Sequence, residues 1–216
     1  MCFSAPVSFA ASAFVAGAGV LALGQAPGIR DKPFASVPLL FATQQFIEGV
    51  LWLLLPQAGT EQTTHGLVQV YAFFIGVVWP MIIPFGIMLI EPDRTRKRIM
   101  QVVLAVGVVV AVSTFAIILR YGVSVHVVNA CLVYSNPVTG GLLMRTAYLV
   151  ATCGAYFISS HRTVLWIGVA NFVGFGVAYS FYHLNWPSVW CFFAAIVSAL
   201  IYYHFRRARM AAALPA

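Results

Sequence analysis

Apolar residues run along this chain in seven long blocks with polar punctuation between them. The blocks cover approximately Val7 to Leu23, Phe34 to Leu55, Leu67 to Ile90, Ile99 to Leu119, Leu142 to Ser159, Val164 to Tyr182 and Ser188 to Tyr203. About 20 residues at a rise of about 1.5 Å cross the roughly 30 Å hydrocarbon layer of a bilayer, so each block reads as a spanning helix. The breaks carry turn chemistry: Gly28 and Pro33, Pro56 and Gly59, Glu91 to Asp93, then Asn185 and Pro187. The pattern predicts an all-α polytopic bundle of about seven transmembrane helices, forming a single integral membrane domain over residues 1–216. The fourth connection, Tyr121 to Gly141, is long and apolar (VSVHVVNACLVY) yet too interrupted for a span. It is expected to pack on the bundle as a lid or re-entrant segment.

Composition agrees with that solvent. The chain is 62% hydrophobic and 8% charged, with a mean hydropathy of +0.93, against about 45–50% and about 25% in soluble domains. The net charge of +7 does not indicate nucleic acid, because the basic residues sit in short junctions and form no stripe. All of the 12 Lys and Arg except Arg120 and Arg145 fall in the first, third and fifth connections or the C-terminal tail. By the positive-inside rule those are cytoplasmic, which puts the N-terminus outside and the C-terminus in the cytoplasm. Met1 to Val7 carries no positive charge, so the first block reads as a span and not as a cleaved signal peptide.

Against this background Glu48 stands out as the acidic residue inside an apolar block. On the expected topology it lies about 10 Å below the outer boundary, where a carboxyl is costly and marks a site. Gln44, Glu48 and Trp52 recur at four-residue intervals, with Gln45 three residues before Glu48, so the four share one helical face. Such a stripe is expected to face the bundle interior as a ligand-binding pocket. Glu48 would serve there as proton carrier, cation ligand or general base. The bland alternative is a protonated Glu bonded to Gln44 or to backbone, holding helices together.

The expected topology also collects Cys2, His65, His126, Cys131, His183 and Cys191 in the outer half. Thiolates and imidazoles suit copper or zinc, which makes Cys2, Glu48, His183 and Cys191 candidate metal ligands. A disulfide among Cys2, Cys131 and Cys191, or simple packing, fits those cysteines equally well. No Cys-x-x-Cys, His-x-x-x-His or Glu-x-x-His occurs, so a metal site would have to be assembled from separate helices. Glu91, His161 and His204 fall at cytoplasmic helix ends and are expected to be solvated. Trp79, Pro80 and Pro84 predict a kink in the third helix. Ala170, Gly174 and Ala178 predict close helix packing in the sixth. Both Lys residues lie in connections, which excludes a retinal Schiff base, and neither a Walker A sequence nor a dinucleotide fingerprint is present.

The N-terminal MCFSA, the segment PLLFATQQFIEGVLW, the junction IEPD and the block SVWCFFAA resemble a family of bacterial multi-pass membrane proteins of unknown function. The resemblance implies a bacterial inner-membrane protein of about seven helices, in contact with the lipid bilayer, and places Cys2, Gln45, Glu48, Trp52 and Cys191 in signature blocks. It implies no activity. The residues themselves suggest, first, a metal ion or metal-containing redox cofactor in a polar pocket near the periplasmic face. Second comes a small-solute or proton-coupled transporter or channel with Glu48 as titrating group. An intramembrane enzyme comes third, because no nucleophile and base pair is visible. Small-residue faces would serve contacts within the bundle or with further copies or membrane partners.

Overall fold

The computed structural model describes residues 4–128, 131–136, 141–181, 190 and 193–213. Seven helical rods emerge. The first is α1 (Ala5–Gln25), which opens with Pro6 in its first turn, where a missing N–H costs nothing. The second joins a short α2 (Lys32–Ala35) to α3 (Val37–Leu54). The third is α4 (Glu61–Phe73) followed by one π-turn (Phe74–Val78) and α5 (Trp79–Ile90). Next comes α6 (Arg94–Tyr121), capped by Asp93, whose carboxylate accepts from Arg96 N–H at 2.7 Å. It stops at Gly122, whose φ of 66° suits glycine. The remaining rods are α7 (Leu142–Leu149), a second π-turn (Val150–Gly154) and α8 (Ala155–Ile158), then α9 (Arg162–Phe181) and α10 (Ala194–Ala213).

Among the described residues five helices are long and apolar enough to cross a membrane: Ala5–Gln25, Lys32–Leu54, Glu61–Ile90, Arg94–Tyr121 and Arg162–Phe181. Leu142–Ile158 is apolar but shorter, and α10 carries Arg206, Arg207 and Arg209 in its second half. Large apolar side chains such as Phe14, Val102, Val109, Val112 and Trp166 are exposed on the outside of the bundle, which is compatible with a lipid surrounding.

The rods alternate in direction, and contacts fix which ends meet. At one end Arg209 donates to Gly24 O, Arg96 to Ile158 O, and the His161 ring meets Ile90 O. Most basic residues gather here, so this is the basic end. At the other, α4 and α6 are joined by Gln69, whose side-chain amide exchanges two hydrogen bonds with the Val123 backbone.

The fourth connection departs from the all-α expectation. It forms an antiparallel β-hairpin, β1 (Ser124–Val128) with β2 (Cys131–Ser135), in which His126 pairs with Val133 and Val125 with Tyr134. β-Branched residues at alternate positions favour a pleated, half-buried ribbon. The hairpin caps the bundle, with Leu132 buried among Leu51, Val68 and Tyr71.

Close approaches explain several small residues. A Cβ at Gly107 of α6 would lie 2.0 Å from the Pro80 carbonyl oxygen, and one at Gly76 2.2 Å from Thr114. The expected kink at Trp79-Pro80 therefore appears as a π-turn laid directly against α6, with Pro84 continuing inside α5. In α9 the buried face runs through Gly168, Asn171, Gly174 and Ala178, and Gly174 admits the Phe193 ring; of the expected spacing Gly174 and Ala178 are buried and Ala170 is half-buried.

Candidate functional site

The stripe on α3 faces inward. Gln44, Gln45 and Glu48 are 0%, 2% and 1% exposed, and Trp52 is half-buried with its indole N–H fully covered. Amides and a carboxyl reach this depth because α1 packs along one side of α3 and the third rod along the other. On the α1 side, Gly49 receives the Phe9 ring, Gly19 receives Leu39, and Ser12 Oγ donates to Ala42 O at 2.8 Å. On the other side, the Tyr71 hydroxyl donates to Glu48 Oε2 at 3.3 Å, and Trp79 Nε1 donates to Gln44 Oε1 at 2.7 Å. Trp79 is clamped by stacking on Phe41 at 4.0 Å, and Tyr71 by stacking on Tyr134 of the hairpin at 4.4 Å. The fourth connection thus packs on the bundle, through Tyr134 and Leu132. His126, by contrast, is exposed.

On the same face as Glu48, Gln45 Oε1 and Trp52 Nε1 are buried without a hydrogen-bond partner, as are Thr64 Oγ1 on α4 and Ser8 Oγ on α1. An unfilled buried donor or acceptor costs about 1–3 kcal/mol, so each is a group that a ligand or water would satisfy. Gln45 and Trp52 are seven residues apart, hence on one face about 10 Å apart along the axis, with Glu48 between them. One offers an acceptor and the other a donor.

The metal candidates divide. Glu48 lies in this site, while Cys2, His183 and Cys191 lie outside the described residues. Among the described residues no group of three or more His, Cys, Asp and Glu could hold a metal ion. Cys131 is disulfide-bonded, and the other described cysteine, Cys153, is free and buried. His65 is exposed and belongs instead to a lateral groove between α4 and α6, about 540 Å³ in volume, with Gln69, Phe73, Phe115 and Tyr121.

Glu91 corrects the expectation of a solvated helix-end residue. It is 1% exposed and ties the α5–α6 turn to the α8–α9 turn. Its Oε1 accepts from Asp93 N–H at 3.2 Å and Ser160 Oγ at 2.7 Å, and its Oε2 from Ser159 Oγ at 3.1 Å and Ser160 N–H at 2.8 Å. Burial acts to raise its pKa, but these donors outweigh it and hold the carboxyl below the usual carboxylate range. His204 is buried too, bonded to Thr163 and in edge contact with the His161 ring at 5.4 Å.

Sequence reasoning found the α3 stripe and missed its partners. Tyr71 carried no spacing signal. Ser8 and Ser12, four apart in an apolar helix, were a signal of the same kind as Gln44 and Glu48.

Fold and site together define a helical protein with spans apolar enough for a membrane and a closed polar site on its second rod. A family model matches residues 1–216, and the chain belongs to that family, the family of unknown function DUF6629. No curated protein and no solved structure matches it.

Proposed function

We propose that this chain crosses a bacterial inner membrane seven times, with its N-terminus outside and its C-terminus in the cytoplasm, and binds and moves a small polar solute with Glu48 as the titrating group. The gathering of Lys and Arg at one end of the bundle supports that orientation. The observation that carries the function is the orphaned pair flanking Glu48: the Gln45 Oε1 acceptor and the Trp52 Nε1 donor, both buried on the same face. A solute with one donor and one acceptor would complete both, and a carboxyl between them can exchange a proton as the solute arrives or leaves. The Tyr71 hydroxyl, held by Tyr134, donates to the Glu48 carboxyl and holds it in place on this face of α3.

The test is proton flux in proteoliposomes that enclose a pH-sensitive dye, offered a panel of small polar solutes one at a time. At least one solute should move protons with the wild-type chain and none with Glu48→Gln. No response to any solute, together with a stoichiometric copper or zinc in the purified protein, would overturn this reading in favour of a metal held by Cys2, Glu48, His183 and Cys191.

A further inference from the structure

The Ser8 hydroxyl is not explained by a solute between Gln45 and Trp52, because it lies on the opposite wall, in the seam between α1 and α3. The two helices run antiparallel, in a register fixed by Ser12 against Ala42 and Phe9 against Gly49. Ser8 is one turn before Ser12 on the same face of α1, which sets it at the level of Gln45 to Glu48 on α3. Ser8 is 0% exposed and Gln45 2%. Ser8 Oγ and Gln45 Oε1 are both without a hydrogen-bond partner. They also lie too far apart to satisfy each other, since a hydrogen bond between them would have removed both from that state.

The seam is narrow at this level. One turn toward the basic end, Ser12 Oγ already touches the Ala42 carbonyl at 2.8 Å. On the other side, the Phe9 ring sits where a Cβ on Gly49 would come within 2.8 Å of it. Between these two contacts lie the two unpartnered oxygens, and a seam this close favours an atom-sized ligand over an organic solute. The groups at this level are an amide oxygen, a hydroxyl oxygen and, one turn along α3, the Glu48 carboxyl, which also accepts from Tyr71. An all-oxygen set suits hard cations, whereas copper and zinc favour imidazole and thiolate. A single carboxylate balances a single positive charge.

We propose that Ser8, Gln45 and Glu48 form a site for a hard monovalent cation of the size of Na⁺ between α1 and α3. The cation and a proton then compete for Glu48. The inference rests on the same carboxyl as the transport reading but not on transport itself.

The experiment uses the purified full chain in nanodiscs and compares unfolding midpoints in equal concentrations of NaCl, KCl and choline chloride. At alkaline pH, NaCl should raise the midpoint above both other salts, because a ligand that binds only the folded state stabilises it, and the advantage should shrink on acidification. Ser8→Ala should weaken the apparent Na⁺ affinity about tenfold, the loss of about 1.4 kcal/mol of binding. Ser12→Ala should keep the sodium response, since that hydroxyl is already engaged by Ala42. Broadening of the ²³Na resonance by wild-type protein, reduced by Ser8→Ala, gives the same answer without unfolding and serves if Glu48→Gln does not fold. Equal midpoints in the three salts, or a full sodium response in Ser8→Ala, would overturn the site and leave a buried water as the occupant. Solute-linked proton flux without a sodium response would overturn the cation site alone. A sodium response without flux for any solute would overturn the transport reading alone.

Discussion

Among the described residues the fold buries two carboxyl side chains, Glu48 and Glu91, each 1% exposed, and their surroundings are built on opposite plans. At Glu91 four donors converge on two oxygens, and the result is a fixed junction between two helix turns. On the side of Glu48, by contrast, Gln45 Oε1, Trp52 Nε1 and Ser8 Oγ have no hydrogen-bond partner. Equal burial of the same residue type therefore says little about role. The inventory of neighbouring donors and acceptors separates a strut from a binding site.

The strongest way to break this contrast is to remove each plan in turn. Glu91→Ala strands the Ser159 and Ser160 donors and should cost about 3 kcal/mol or more, measured by unfolding in nanodiscs. Gln45→Leu removes an orphan and should stay within about 1 kcal/mol of wild type while abolishing solute-linked proton flux. Comparable losses for the two variants would mean that Gln45 is structural, and the contrast would fail.

Trp79→Phe deletes the donor to Gln44 while keeping an aromatic ring against Phe41, for an expected cost of about 1–2 kcal/mol. A neutral result would show that the Gln44 amide is satisfied without the indole.

Acid separates the two carboxyls in another way. Glu91 has its pKa depressed below an ordinary value of 4.5, so its contribution to stability is fully present above that value and is lost as pH falls through the depressed one. Wild-type stability should decline with acid over that window, and Glu91→Gln should decline less. Parallel declines would remove Glu91 from the account of acid sensitivity.

The smallest expected effect compares two serines on one face of α1. Ser12→Ala loses a bond to Ala42 O and should cost about 1 kcal/mol, whereas Ser8→Ala in sodium-free buffer should cost nothing measurable. Equal costs would give Ser8 a structural partner and close the gap in the seam.

How much of this was legible in the sequence follows from where the determining partners lie. Gln44, Gln45, Glu48 and Trp52 belong to one helix, so a 3.6-residue period was enough to put them on one interior face. Tyr71, Thr64 and Ser8 come from other rods, and no spacing within one helix reports which rods touch. Glu91 was misread for a related reason. A residue at a helix end is usually wet, and only the convergence of Ser159 and Ser160 from 68 and 69 positions away makes this one dry. In the fourth connection the apolar excess was correctly read as packing on the bundle. The alternation of Val125, Val127, Leu132 and Tyr134 on one face of a ribbon was the unused signal. The rods themselves were the easiest part, since a long apolar run in lipid must close its own hydrogen bonds as helix.

The π-turn at Phe74–Val78 does more than accommodate a proline pair. In an uninterrupted α-helix, Tyr71 and Trp79 would point about 80° apart. A π-turn takes in one residue beyond the α-helical count, which turns the later half of the rod back until the two side chains lie within about 20° of each other. Tyr71 then meets Glu48 and Trp79 meets Gln44 along a single line. The extra residue acts as a gear tooth. Deleting one residue from Phe74–Val78 would leave a straighter and more regular helix whose two halves no longer address α3 together, so the more ideal secondary structure would be the one that dismantles the site.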